Sequence, residues 1–412
     1  MRFDSNRQGP PAWAFVLLAF AAVPLRDVSP ATALWAIPCL LLSAILIAWA
    51  AESAQFFIAQ GFALAILAWL QTLPEFAVEA VLAWKQQVPF LLANLTGALR
   101  MLTGLGWPMI YFAAAFTHRR KTGAPLRRIE LEADHCVEVV GLLVPLIYIS
   151  AVLVKGSLNL IDAAVLIAIY GAYLTILGKM PPREHEGIEE LEFVPRTIVL
   201  SPRGRRIFLI MLFFTAGGVL IYFTAEPFLA SLMAIAVRIG IPSFVFIQWV
   251  APFVSEFPEM ASTFYWARTV TRAPMALMNM VSSNINQWTL LVAMLPIVYS
   301  ASRGGFSSIP FDDQQKLELL LTLAQAVIAM LFLMNMELTW WEATVLFALW
   351  LVQFVFSAFS GPLAGEVRWA VTIAYFAWAA WELLRILMGK RKPVAFTEFA
   401  RVWRERVRMK AA

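Results

Sequence analysis

Apolar runs long enough to cross a lipid bilayer as helices recur along almost all of this sequence, and few folds can be built from them. One crossing takes about 20 apolar residues. Such runs fall near 31–53, 56–84, 88–116, 136–154, 158–178, 207–238, 241–267, 273–300, 317–335, 339–359 and 366–388. A shorter run from Pro11 to Leu25 reads as a short twelfth span. It does not read as a cleavable signal, because no small-residue cleavage site follows it and its basic flank is thin. Of the 412 residues, 61% are apolar and only 14% are charged, where a soluble protein carries roughly a quarter charged. Too few polar side chains exist to cover a water-facing surface. The chain therefore reads as an all-α, polytopic membrane protein, and coiled coil, disorder and nucleic-acid binding are excluded.

The net charge of +5 is explained by topology. Lys and Arg concentrate on the side of a membrane protein that stays in the cytoplasm. With alternating spans, 24 of the 32 basic residues fall on one side, in Arg2 and Arg7, 118–128, 179–206, Arg268 and Arg272, and the tail from Arg385. Seven fall on the other side, and Arg100 lies inside an apolar run. Both termini are thus expected in the cytoplasm, with the chain in a plasma or inner membrane. Cys39 and Cys136 sit in or beside apolar runs and read as packing residues. The acidic stretch with Glu184, His185, Glu186, Glu189, Glu190 and Glu192 reads as a solvated loop.

Two segments resemble each other. Gln71 to Ala98 and Ser255 to Gln287 each set Pro-Glu inside an apolar run, then an Asn 19 or 20 residues later, then small or hydroxylated residues. In the first, Glu75 leads to Asn94; in the second, Glu259 leads to Asn279. The two Pro-Glu spans are five crossings apart and so run in opposite directions. That is an inverted-topology repeat, an architecture that places a binding site between the halves at the bilayer midplane. The runs at 56–84, 88–116, 241–267 and 273–300 contain Pro or Gly with polar groups and are expected to be broken helices.

Carboxylates inside a bilayer cost at least a few kcal/mol each when charged. Glu75 and Glu79 are four apart and share a helix face, as do Glu256 and Glu259, three apart. Pro74 and Pro258 are expected to free a carbonyl one turn earlier. Hard cations take oxygen donors from carboxylates, carbonyls and amides, so Glu75 and Glu259 are the expected metal-holding acids. Glu79, Glu256, Asn94 and Asn279 join them as candidate ligands, for sodium, calcium or protons. Asp162, Glu226, Glu318, Glu342 and Glu382 lie near span ends or lack a mirrored partner and read as interfacial or interhelical contacts.

These repeats resemble the two α-repeats of the calcium/cation antiporter superfamily, which includes sodium/calcium and cation/proton exchangers. Its members show Gly-Thr-Ser-Leu-Pro-Glu followed by Gly-Asn-x-x-Gly-Ser-Asn. Here Thr72-Leu73-Pro74-Glu75 and Glu256-Phe257-Pro258-Glu259 stand in the first motif. Ala93-Asn94-Leu95-Thr96-Gly97-Ala98 and Met278-Asn279-Met280-Val281-Ser282-Ser283-Asn284 stand in the second. The resemblance covers roughly 31–359. It implies that Glu75 and Glu259 are the principal ion-binding acids, that Thr72 and Ser283 are hydroxyl ligands, and that Gln287 lies at the site. The chain departs from the pattern at Ala98, where a serine is usual, at Leu102, and at the acids Glu79 and Glu256. Arg100 has no counterpart.

The expected architecture is two inverted five-helix repeats with discontinuous helices. Residues 1–30 form a tail and short hydrophobic segment, 31–178 the first half, 179–206 a cytoplasmic loop, 207–359 the second half, and 360–412 an extra span with a basic tail. The expected function is secondary cation antiport by alternating access, exchanging calcium or sodium for protons or sodium. The partners are cations, protons and the bilayer; no cofactor and no nucleic acid are involved. No phosphate-cradling loop, metalloprotease helix or Ser/His dyad marks an enzyme. The alternative is a non-transporting scaffold or sensor retaining this fold, which Arg100 would favour. An Arg inside a span must face carboxylates or water. Arg100 is expected to reach Glu79 or Glu256 as a fixed counter-ion, the alternative being an Arg that pins two helices together away from any ion path, while crowding keeps one or more of the four acids protonated. The tail RVWRERVRMK is expected to suit an anionic leaflet as an amphipathic helix.

Overall fold

The computed structural model describes residues 28–57, 69, 72–180, 191–357 and 362–408. The expected short span at 11–25, most of the first part of the 56–84 run, and residues 184–190 of the acidic loop lie outside these. In the first half, α1 (Ala33–Ala54), α2 (Leu73–Trp84) and α3 (Val88–Met101) are followed by a five-residue π-helical turn, Leu102–Gly106. Next come α4 (Trp107–Thr122), the short strand β1 (Arg128–Glu130), α5 (Cys136–Lys155), β2 (Ser157–Leu158) and α6 (Leu160–Leu177). After the short α7 (Phe193–Val199), the second half runs through α8 (Arg203–Ile239), α9 (Ser243–Ser255), α10 (Phe257–Ala267) and α11 (Ala273–Asn286). A second π turn, Gln287–Leu291, leads to α12 (Val292–Ser302), β3 (Ile309–Pro310), α13 (Asp313–Leu333), β4 (Glu337–Thr339) and α14 (Trp340–Ser357). The chain closes with α15 (Pro362–Leu387) and α16 (Val394–Val402).

Among the described residues, eight helices are long and apolar enough to cross a membrane. Twelve spans are expected from the sequence. The shortfall has physical causes. The segment containing α9 and α10 is broken at Glu256 into two pieces, and α2 is the second piece of a run whose first part lies outside the described residues. The helix from Ala273 to Ser302 is continuous but carries Asn279, Asn284, Asn286 and Gln287, so it is too polar to count by hydropathy. The runs at 88–116 and 273–300, expected to be broken, are instead unbroken and bulged, each by one π turn. Pro74, Pro89, Pro258 and Pro274 all sit in the first turns of their helices. There a missing N–H has no helical acceptor to leave unpaired. These prolines start helices and do not kink them.

The two halves match in detail. Residues of the first half recur 184 or 185 positions later: Pro74 and Pro258, Glu75 and Glu259, Asn94 and Asn279, and the two π turns. The turns joining α2 to α3 and α10 to α11 each hold one non-glycine residue at positive φ, Gln86 at 58° and Val270 at 60°. A β-branched residue rarely adopts that conformation, so its presence at the matched position marks a tightly specified turn.

Two small ladders prove that the repeat is inverted. The strands β1 and β2 flank α5 and so lie at its opposite ends. Ladder β1 pairs antiparallel with β4, and β2 pairs antiparallel with β3. Yet β1 and β3 are matched positions, each following the helix beyond the π turn. Matched loops therefore lie at opposite ends of the bundle. In a bilayer these ladders also satisfy backbone groups where helices end.

The crossing of α3 on α9 is backbone to backbone. A Cβ built on Gly97 would stand 1.7 Å from the carbonyl oxygen of Gln248. Gly97→Ala is therefore expected to force the helices apart and destabilise the protein by about 1–3 kcal/mol. Thermal melting of the purified protein checks this. Gly218→Ala, which meets no atom within 4 Å, serves as the matched control with no loss.

The C-terminal segment folds back onto the body. Buried Arg391 donates to Glu382 (2.8 Å), Glu342 (2.6 Å), Asn335 (2.8 Å) and the Phe332 carbonyl (2.6 Å). The backbone N–H of Ala395 donates to Met334 O at 2.9 Å. The tail expected as an amphipathic helix on a leaflet begins within α16, whose Ala395 and Val402 are buried against the protein, and continues as a π-helical segment, Trp403–Arg408. Glu342 and Glu382 are interhelical contacts, in agreement with the sequence reading.

Candidate functional site

Each half brings one acid to its own asparagine. Glu75 stands in the first turn of α2, and Asn94 sits on α3 across the Lys85–Gln87 turn. Asn94 Nδ2 donates to Glu75 Oε1 and, at 3.0 Å, to Glu79 Oε1. In the second half Asn279 Nδ2 donates to Glu259 Oε1 at 3.4 Å, and Ser283 Oγ to Glu259 Oε2 at 2.9 Å. Gln287 Nε2 donates to Glu256 Oε1 at 2.5 Å. All four acids are at most 1% exposed.

The halves then join. Ser255, the last residue of α9, donates its hydroxyl to Glu75 Oε2. Glu256, the single residue at the α9–α10 break, lies within electrostatic reach of Glu75 as well as Glu259. Glu256 and Glu259, three residues apart at the start of α10, are both buried. Ser255 supplies to Glu75 the hydroxyl that Ala98 withholds, since Ala98 and Ser283 are matched positions.

The sequence-derived residues sort as follows. Glu75, Glu79 and Asn94 form one group, and Glu256, Glu259, Asn279, Ser283 and Gln287 the other. Thr72 lies at the edge, donating to Trp69 O at 2.9 Å and accepting from Asn286 Nδ2 at 2.6 Å, with no carboxylate contact. Among the described residues, no three His, Cys, Asp or Glu side chains converge on one metal position. An ion held here draws on amides and hydroxyls beside the acids. Five buried acceptor oxygens around the cluster have no hydrogen-bond donor: Glu79 Oε2, Asn94 Oδ1, Asn284 Oδ1, Asn286 Oδ1 and Gln287 Oε1. That donor chemistry fits a hard cation.

Arg100 is not where the sequence reading expected it. Its guanidinium pairs with Glu318 of α13 at 2.7 Å and not with Glu79 or Glu256. It also donates to Gln353 (3.0 Å) and Thr96 O (3.0 Å), and lies over the Trp249 ring, 5.1 Å from its centroid. The reason is helical phase. Six residues along an α-helix turn a side chain by about 600°, roughly 120° away from Asn94. Glu318 also receives Arg368 (3.0 Å) and Gln248 (2.9 Å). Arg100 therefore belongs to a separate buried network, and the four acids lack it as a counter-ion.

Sequence reasoning missed Ser255, Asn284 and Asn286. Ser255 precedes Glu256 at a helix break, a position that a hydroxyl beside a Pro-Glu motif signals. Asn284 and Asn286 sit five and seven residues beyond Asn279 on the same polar helix.

A family model described as sodium/calcium exchanger protein matches residues 12–179 and 209–359. The chain is similar to the crystal structure of the H+/Ca2+ exchanger CAX, with 32% identity over 95% of both chains and a TM-score of 0.84. It shares the fold of YfkE (14% identity, 84% of this chain and 99% of that one, TM-score 0.59). It also shares that of the sodium-calcium exchanger NCX_Mj (16% identity, 83% of this chain and 98% of that one, TM-score 0.52). No curated protein sequence matches it.

Proposed function

Because the chain belongs to the sodium/calcium exchanger protein family, we propose that this multi-pass membrane protein is a secondary antiporter exchanging a divalent cation, calcium, for protons. The observation that carries the reading is the pair of joined acid groups, four carboxylates at most 1% exposed and linked across the halves by the Ser255–Glu75 hydrogen bond. With Arg100 committed to Glu318, the four acids carry −4 when ionised. One divalent cation and two protons are then equivalent in charge, so either can replace the other without leaving extra charge in the bilayer. Glu75 and Glu259 hold the cation, with Asn94, Asn279 and Ser283 orienting them and lending oxygen. Glu79 and Glu256 carry protons. The similarity to an H+/Ca2+ exchanger supports this choice over sodium. Access alternates between the two faces, the termini lie in the cytoplasm, and no cofactor takes part.

The purified protein in proteoliposomes with an internal pH dye tests the reading. A calcium gradient is expected to drive protons the opposite way, and sodium or potassium gradients are expected to drive none. Absence of calcium-driven proton movement overturns it. Arg100, the feature that would favour the scaffold alternative, pairs with Glu318 away from the four acids.

A further inference from the structure

A cleft of about 1040 Å³ opens between α4, α10 and α14, away from the four acids. Its walls are apolar, made chiefly by Leu105, Met109, Phe112, Phe264, Tyr265 and Phe347. Phe112, Phe264 and Tyr265 are 38%, 41% and 63% exposed, so the surface is offered outward. One end is different. There the last turn of α4 contributes Arg120 and Lys121, and the end of α10 contributes Arg268. None of these three pairs with a carboxylate among the described residues. Among the described residues, no acidic residue lines the cleft. Arg120 lies over the Phe116 ring instead, 5.7 Å from its centroid.

An apolar slot in a membrane protein takes acyl chains, and three cations at its mouth with no carboxylate partner among the described residues select a negative headgroup. Basic pockets between transmembrane helices bind anionic lipid headgroups by this chemistry. We propose that this cleft is a binding site for one anionic phospholipid, its headgroup held by Arg120, Lys121 and Arg268 and its chains lying along Met109, Phe112 and Phe264.

The site bears on α10, the helix that carries Glu259. From Glu259 to Arg268 is nine residues, about 13 Å along the axis at 1.5 Å each. A seated lipid presses on the same short helix at its far end, and α4 continues the helix that carries Asn94.

The test uses the full chain, delipidated in detergent, titrated with phosphatidylglycerol or phosphatidylcholine and read by native mass spectrometry, so it does not depend on transport. The wild type is expected to retain one phosphatidylglycerol in clear preference to phosphatidylcholine. Each interfacial charge contributes about fivefold to an anionic partner. Arg120→Gln/Lys121→Gln/Arg268→Gln should therefore lose up to about a hundredfold and bind both lipids alike. These positions are exposed, and an unchanged melting temperature verifies the fold. Met109→Trp, which fills the slot and keeps the charges, is expected to lose the retained lipid. The proposal is overturned by equal retention of both lipids in the wild type, or by undiminished preference in the triple variant. A dimer that excludes lipid from the cleft would also overturn it, by assigning the face to a second copy.

Discussion

Glu75→Gln and Glu259→Gln are each expected to abolish calcium-driven proton flux while the protein still folds. The amide keeps the shape and the hydrogen bonds from Asn94 and Asn279, but it removes the charge that draws a cation into a buried site. Losing even a supporting partner of a metal ligand costs about 10–100-fold, so losing the ligand itself should cost at least about a hundredfold. Ser255→Ala is expected to be milder, about tenfold, since Glu75 keeps Asn94. Proteoliposome flux and calcium affinity measured together check this. Wild-type flux in either glutamine variant would mean that other acids carry the ion.

The second large effect concerns stability. Glu318→Ala strands Arg100, which is 2% exposed and pairs with no other carboxylate among the described residues. Breaking a buried ion pair by removing one partner costs about 3–5 kcal/mol. A sharp fall in melting temperature and in the yield of folded protein is the expected result. Replacing both partners with apolar residues is far gentler, so Arg100→Met/Glu318→Leu is expected to recover most of the loss. Arg368, 15% exposed, can turn toward solvent when Glu318 is gone. If the double variant is no more stable than Glu318→Ala, the pair is not what holds this region together.

Much of the fold was legible because its signals are one-dimensional. Run length marks the spans, and the paired Pro-Glu…Asn motifs mark both the repeat and its direction. The acids and amides of the site were legible for the same reason, since a carboxyl group inside an apolar run has few structural uses. What the sequence hid was angular and long-range. The partner of Arg100 depends on which way residue 100 points relative to residue 94, and Glu318 lies more than two hundred positions away. The π turns carry no shared motif: position by position, LTGLG and QWTLL match only at one leucine. Ser255 replaces a serine missing from the other half, a compensation visible only once α9 meets α2.

On the proposed alternating-access cycle, the matched order of elements in the two halves and the difference of their side chains bear on the preferred resting orientation. In an inverted repeat, exchanging the conformations of the halves turns a molecule open to one face into one open to the other. If the halves were identical, those two forms would be equal in energy and equally populated. Here Thr72 is matched by Glu256, Glu79 by Thr263, and Ala98 by Ser283. Each mismatch lifts the degeneracy. A difference of 1.4 kcal/mol between the forms is a tenfold ratio of populations. On the proposed cycle these few positions bias which face the empty protein presents, and exchanging one for its counterpart is expected to shift that bias.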